Sequence, residues 1–328
     1  MDSKYIIGII LAIVVIGAYP VFAAGPVFAA GGTGDPQTNS TSSNGSSVEI
    51  NSTNSSARNV ILLIGDGMSL ATVTAARLYK VGPNGNLSMD TLEHRSWIST
   101  RALDSLVTDS AAAGTAIATG QKTNNGMIGM LPNGTELKSI LDIAAGDLRK
   151  STGLVTTTEI THATPAAFGA ETERRDNWND IATDYIYKSR PDILLGGGSR
   201  YWHDDTVTGS HRTVVRLMWQ GMTEAEARAD DGLLDDARRQ NYTTVFTADE
   251  LRALNMTSLF REGKKLLGLF ALSHMAYEYD RSRNPNTTEP HLVNKTRVAI
   301  EYLSQNVNGF SLMWKGAELT TPAMQMML

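Results

Sequence analysis

The chain has 328 residues, a net charge of -5 at pH 7 and no cysteine. The length suits one large α/β domain or two small ones, and the acidity argues against a nucleic-acid binder, whose affinity needs clustered Lys and Arg. Without cysteine there are no disulfides, thiolate nucleophiles or thiolate-held metals, so any metal must be held by oxygen and imidazole.

One basic residue, Lys4, precedes an almost wholly apolar run from Tyr5 to Tyr19, and small residues follow at Ala23-Ala24 and Ala29-Ala30. This pattern predicts a secretory signal over residues 1–30, with a membrane anchor through 5–21 as the close alternative. Residues 31–57 are rich in Ser, Thr, Asn and Gly, cannot bury a core, and are expected to form a flexible linker. N-x-S/T triplets stand at Asn39, Asn44, Asn51 and Asn54, and again at Asn86, Asn133, Asn241, Asn255, Asn286 and Asn294. At that density on an exported chain they predict a glycosylated protein that is secreted or held at the cell surface.

The folded domain is expected from Arg58. The run Val60-Ile61-Leu62-Leu63-Ile64, closed by Gly65, reads as a strand buried on both faces, as in a parallel sheet. Asp66-Gly67-Met68 falls just past its carboxyl end, where ligand sites of open α/β sheets lie. Taken alone, Asp66 could equally be an ordinary turn aspartate. Ser69 can cap a helix reaching about Tyr79. Trp97 to Leu103 alternates enough to predict a strand, and it leads into Asp109-Ser110-Ala111-Ala112-Ala113-Gly114. Small residues leave Ser110 uncrowded, and the free N–H groups of a helix start favour an anion beside its hydroxyl. A lone serine there would be a plain cap, so the case for a nucleophile rests on its company.

Leu137 to Leu148 has helical spacing, and Leu154 to Thr158 is a β-branched strand. In His162-Ala163-Thr164-Pro165 the proline predicts a helix start with Thr164 as its cap. Arg174 and Arg175 follow. Ile193 to Gly198 reads as a strand and glycine loop, Leu266 to Phe270 and Phe310 to Met313 as strands, and Glu224 to Ala229, Ala248 to Leu254 and Leu292 to Ser304 as helices. The alternation predicts an α/β three-layer sandwich, a mostly parallel central sheet flanked by helices.

Several of these stretches together resemble the alkaline phosphatase family: Asn59 to Met68, Thr108 to Ala112, Thr119-Gly120 with Lys122 to Gly126, His162 to Ala166, Leu266 to Phe270, and Asn308 to Phe310 with Leu312-Met313. The resemblance spans about 58–313. It implies a phosphate monoester hydrolase with two Zn²⁺ and one Mg²⁺, working through a phosphoserine. Carried over by position, Ser110 resembles the nucleophile and a zinc ligand, Asp66 the carboxylate bridging zinc and magnesium, and Thr164 a magnesium ligand. Arg175 resembles the phosphate clamp and Asp109 the residue that positions it. His162 stands where a member with His reaches magnesium only indirectly. The implied partners are phosphate monoesters and inorganic phosphate, and a homodimer is compatible with them.

Beyond Met313 the resemblance stops. The family reads Met-Val-Glu-Gly-Gly-Arg-Ile-Asp-His-Ala-x-His and supplies further Asp and His ligands later, whereas this chain continues Trp314-Lys315-Gly316 and ends at Leu328. Lys315 stands at the position of the magnesium-binding Glu, where a cation cannot bind Mg²⁺. Restoring one G after the Met313 codon in a back-translation of the tail regenerates the family motif, so 314–328 is expected to be out-of-frame sequence and the domain incomplete at its C-terminus. The genomic DNA across that codon tests this. The chain as it stands is therefore expected to be weak or inactive. The alternatives are a non-catalytic glycosylated surface protein or pseudoenzyme, and a related metallo-phosphodiesterase or sulfatase.

Overall fold

The computed structural model describes residues 9–16, 57–94, 96, 98–202 and 232–316. The linker, its four glycosylation triplets, the expected helix at 224–229 and residues 317–328 lie outside them.

The core is a seven-stranded, all-parallel sheet. Its strands are β1 (Ile9–Ile16), β2 (Asn59–Asp66), β3 (Ser151–Glu159), β4 (Ile193–Gly197), β5 (Tyr242–Val245), β6 (Lys265–Leu269) and β7 (Phe310–Gly316), in the order β1-β2-β7-β3-β4-β6-β5. The last strand in sequence thus slots between β2 and β3, with Leu62 opposite Met313 and Leu154 opposite Met313 on its other edge. This registers the carboxyl ends of β2, β3 and β7 side by side.

The central strands are covered on both faces, which is why β2, β4 and β6 read as apolar runs. Leu62, Ile64, Leu154, Leu194, Leu267 and Met313 belong to one buried cluster, which also contains Ala111 and Ala113 of the helix Ser110–Thr119. Val155, Ile193, Leu195, Leu266 and Leu312 belong to the other, which contains Ala299, Tyr302 and Leu303. The principal helices are α1 (Leu70–Val81), α2 (Ser110–Thr119), α3 (Trp178–Tyr187) and α4 (Leu292–Leu303). Each buried aliphatic side chain contributes about 1.5–3 kcal/mol relative to exposure.

Several expectations are corrected. Residues 98–103 form no strand: Leu103 N–H donates to Thr123 O (2.9 Å), Lys122 Nζ to Ser99 O (3.3 Å), and Ile98 and Leu103 stay exposed, with no sheet face to bury them. Trp97 lies outside the described residues. The helix expected over Leu137–Leu148 is a short turn, Ile140–Asp142, capped by Ser139 and widening at Ile143–Asp147. Strand β5 and helix α3 were not anticipated. The expected signal or anchor is not corrected; within that apolar run the described residues form β1, which pairs with β2 from Ile9 opposite Asn59 to Ile16 opposite Asp66. No helix among the described residues is long and apolar enough to cross a membrane.

Candidate active site

The site sits at the carboxyl ends of β2, β3 and β7. Asp66 is the last residue of β2, and Gly67, at φ 66°, turns the chain over it into the Ser69-capped helix α1. A positive φ of this kind costs glycine little. Ser110 opens α2, but the cap is Asp109, whose Oδ1 accepts from Ala112 N–H at 2.9 Å. Capping by its neighbour leaves the Ser110 hydroxyl available. It points at Asp66, with Oγ 3.4 Å from both carboxylate oxygens.

Helix α2 can come this close because of its small residues. A Cβ on Gly114 would stand 3.1 Å from Ala167 Cβ and 3.4 Å from Thr164 Cα, so the helix lies directly on the turn Ala163–Ala166. That turn is capped by His162, not by Thr164 as expected. Thr164 instead lies inside it, fully buried, and its Oγ1 has no hydrogen-bond partner.

Arg175 closes the crevice. Its Nη1 donates to Asp109 Oδ2 at 3.0 Å, and its Nη2 lies 3.2 Å from His162 Nε2. Asp109 Oδ2 also accepts from Gly126 N–H at 3.1 Å, and Arg175 N–H donates to Gly126 O at 2.7 Å. Asn125 completes the brace: its Oδ1 accepts from Asp109 N–H and its Nδ2 donates to Val107 O, both at 2.9 Å. Asp109 therefore serves the helix and the guanidinium at once. The Asn125-Gly126 turn was legible only as a turn, and its bracing role was missed.

Lys315, on β7, is the other cation. It is fully buried, its Nζ 2.9 Å from Asp66 Oδ2 and 2.8 Å from His162 Nδ1. Burial first, then the Lys315 and Arg175 charges, hold the His162 imidazole well below the usual histidine range. The neutral ring has one lone pair to accept with, yet both flanking cations can only donate. His274 was also missed by sequence reasoning. It stacks edge-on against His162 at 5.6 Å, and its Nδ1 accepts from Glu159 N–H at 3.1 Å.

Five of the six residues named from sequence, Asp66, Asp109, Ser110, His162 and Arg175, are thus joined by contacts in one region, and Thr164 lies on the turn that packs against α2. Their chemistry is that of an oxyanion crevice: a hydroxyl at a helix start, a braced guanidinium and a second buried cation. A divalent metal fits it poorly. Thr164 Oγ1 is an available oxygen, but Asp66 is already ion-paired to Lys315. Among the described residues no group of three or more His, Asp or Glu could hold a metal ion. Among the described residues no full ligand shell for the expected two Zn²⁺ and one Mg²⁺ is assembled.

A parallel α/β sheet carrying an anion-handling crevice across its strand ends is the class this architecture defines. Residues 57–323 match the family model described as alkaline phosphatase. The chain is 36% identical over 278 residues to alkaline phosphatase 4 of Bacillus subtilis, covering 80% of this chain and 51% of that protein. It is 32% identical over 309 residues to streptomycin-6-phosphate phosphatase of Streptomyces griseus, covering 80% of this chain and 64% of that protein. Among solved structures it resembles the cold-active alkaline phosphatase of a Shewanella species, with a TM-score of 0.62, 30% identity and coverage of 78% and 56%. The alkaline phosphatase of Thermus thermophilus aligns with a TM-score of 0.61, 32% identity and coverage of 79% and 49%. The chain belongs to the alkaline phosphatase family. It spans about half the length of the first of these curated relatives.

Proposed function

We propose that the crevice is the ester-binding half of a phosphate monoester hydrolase, with Ser110 as phosphate acceptor. The observation that carries this is the convergence of three separated segments: Ser110 Oγ lies 3.4 Å from the Asp66 carboxylate, and its neighbour Asp109 holds Arg175 at 3.0 Å. In the proposed step Ser110 Oγ attacks phosphorus, its proton passes to Asp66, and the P–O bond to the alcohol breaks. The departing oxygen takes a proton from solvent. Arg175 grips two non-bridging oxygens, as a planar bidentate donor can, and Asp109 fixes its angle. Water then cleaves the phosphoserine and releases inorganic phosphate.

A serine hydroxyl without strong activation is a weak nucleophile, and Asp66 is held by Lys315. The chain is therefore assigned phosphate binding with turnover near background. Calorimetry with inorganic phosphate and a p-nitrophenyl phosphate assay, with and without added Zn²⁺ and Mg²⁺, test this on the purified chain. Phosphate binding that Arg175→Ala weakens at least tenfold is expected. No phosphate binding overturns the ester site, and full turnover overturns the weak-activity reading.

A second reading, a non-catalytic glycosylated surface protein, is favoured by one observation. The asparagines of the six described N-x-S/T triplets, Asn86, Asn133, Asn241, Asn255, Asn286 and Asn294, are all exposed. It requires export, and a glycosidase-sensitive mass shift on the secreted chain would establish it. The same exposure supports the exported location proposed for the first reading.

A further inference from the structure

We propose that the Lys315 ammonium is a tethered cation that takes the place of a divalent ion at Asp66, making this centre indifferent to Mg²⁺. The inference rests on the geometry and not on the phosphate reading. Asp66 lies at a strand end, and on the turn that follows His162 a buried hydroxyl, Thr164 Oγ1, has no partner. A carboxylate and an orphaned hydroxyl are hard oxygen donors of the kind magnesium takes. Asp66 is already occupied by Lys315 Nζ, which is fully buried, 2.9 Å from Asp66 Oδ2 and 2.8 Å from His162 Nδ1. Mg²⁺ binds oxygen at about 2.0–2.1 Å and demands near-octahedral geometry. An ion that close to Asp66 would share its site with a second positive charge. Lys315 cannot withdraw easily, because β7 is hydrogen-bonded between β2 and β3, with Lys315 opposite Ile64 and Thr156.

The surroundings add repulsion. Arg175 Nη2 stands 3.2 Å from the other nitrogen of His162, so the ring is flanked by cations on both sides. Asp66 and Asp109 each already have a cation in contact, Lys315 and Arg175 respectively. A divalent ion would find no uncompensated carboxylate in that set.

The test is thermal unfolding and calorimetric Mg²⁺ titration of the purified full chain. The parent chain is expected to unfold at the same temperature in EDTA and in saturating MgCl₂. Lys315→Glu, which supplies a carboxylate where the ammonium was, is expected to bind Mg²⁺ at least tenfold more tightly and to gain a Mg²⁺-dependent rise in Tm. Adding Asp66→Asn to that variant should abolish the gain. Where Lys315→Glu fails to fold, Lys315→Gln serves, with a smaller gain expected. Mg²⁺-dependent stabilisation of the parent chain that Asp66→Asn removes would overturn the proposal, as would a folded Lys315→Glu with no added Mg²⁺ affinity. Phosphate binding is measured separately, so the ester-site reading can fail while this one stands.

Discussion

Lys295 offers a quantitative test of how the fold handles buried charge. It lies on α4, fully buried, with Nζ donating to Thr156 O at 2.6 Å and to Met275 Sδ at 2.7 Å. Burial pushes its amine down from 10.5 to about 7; Glu289 opposes the shift weakly and Arg281 adds to it. Between about 7 and 10.5 the unfolded chain holds a proton that the folded chain lacks, so stability rises with pH across that window. Below about 7 the whole penalty remains. At about 1.4 kcal/mol per pH unit, the buried amine costs the fold about 5 kcal/mol at neutral pH.

Lys295→Met keeps the apolar stem and removes the charge, but leaves Thr156 O without its donor, a loss of about 1–3 kcal/mol. The variant is therefore expected to be more stable than the parent at pH 7, by about 2–4 kcal/mol, and less stable near pH 10.5. Urea unfolding at a series of pH values reads both effects. A difference between the two proteins that does not change with pH, or that grows in the variant's favour on going alkaline, would refute the reasoning.

Two further substitutions probe the site. Asp109→Ala removes the cap of α2 and the partner of Arg175 together. A loss of about 1 kcal/mol is expected from the cap alone, seen as a lower Tm, with weaker phosphate binding that Asp109→Asn partly restores. Thr164→Val deletes a buried hydroxyl that has no partner while keeping the shape. It should leave stability unchanged or raise it by about 1 kcal/mol; a clear fall in Tm in EDTA would mean that the hydroxyl has a partner after all.

The class of fold was legible because both sheet faces are covered, which makes strands such as Val60–Ile64 and Leu154–Val155 unmistakably apolar. Short or half-polar elements were not: β5, with Thr243 and Thr244 at its centre, carries too little pattern, and the alternating residues Ile98 to Leu103 had no sheet to join. Ser110, Asp109 and Arg175 were named from the family resemblance, whereas Asn125 and His274 make a backbone brace and a ring contact that no local spacing reveals.

What the sequence determined by itself was the set of chemical groups and the alternation that builds a parallel sheet, because burial periodicity and motif spacing are local properties. Only the tertiary structure decided that β7 inserts between β2 and β3, since strand order depends on contacts between segments hundreds of residues apart. That insertion carries the Lys315 ammonium to Asp66 and His162. The charge of Lys315 could be read from the chain, but its partner could not.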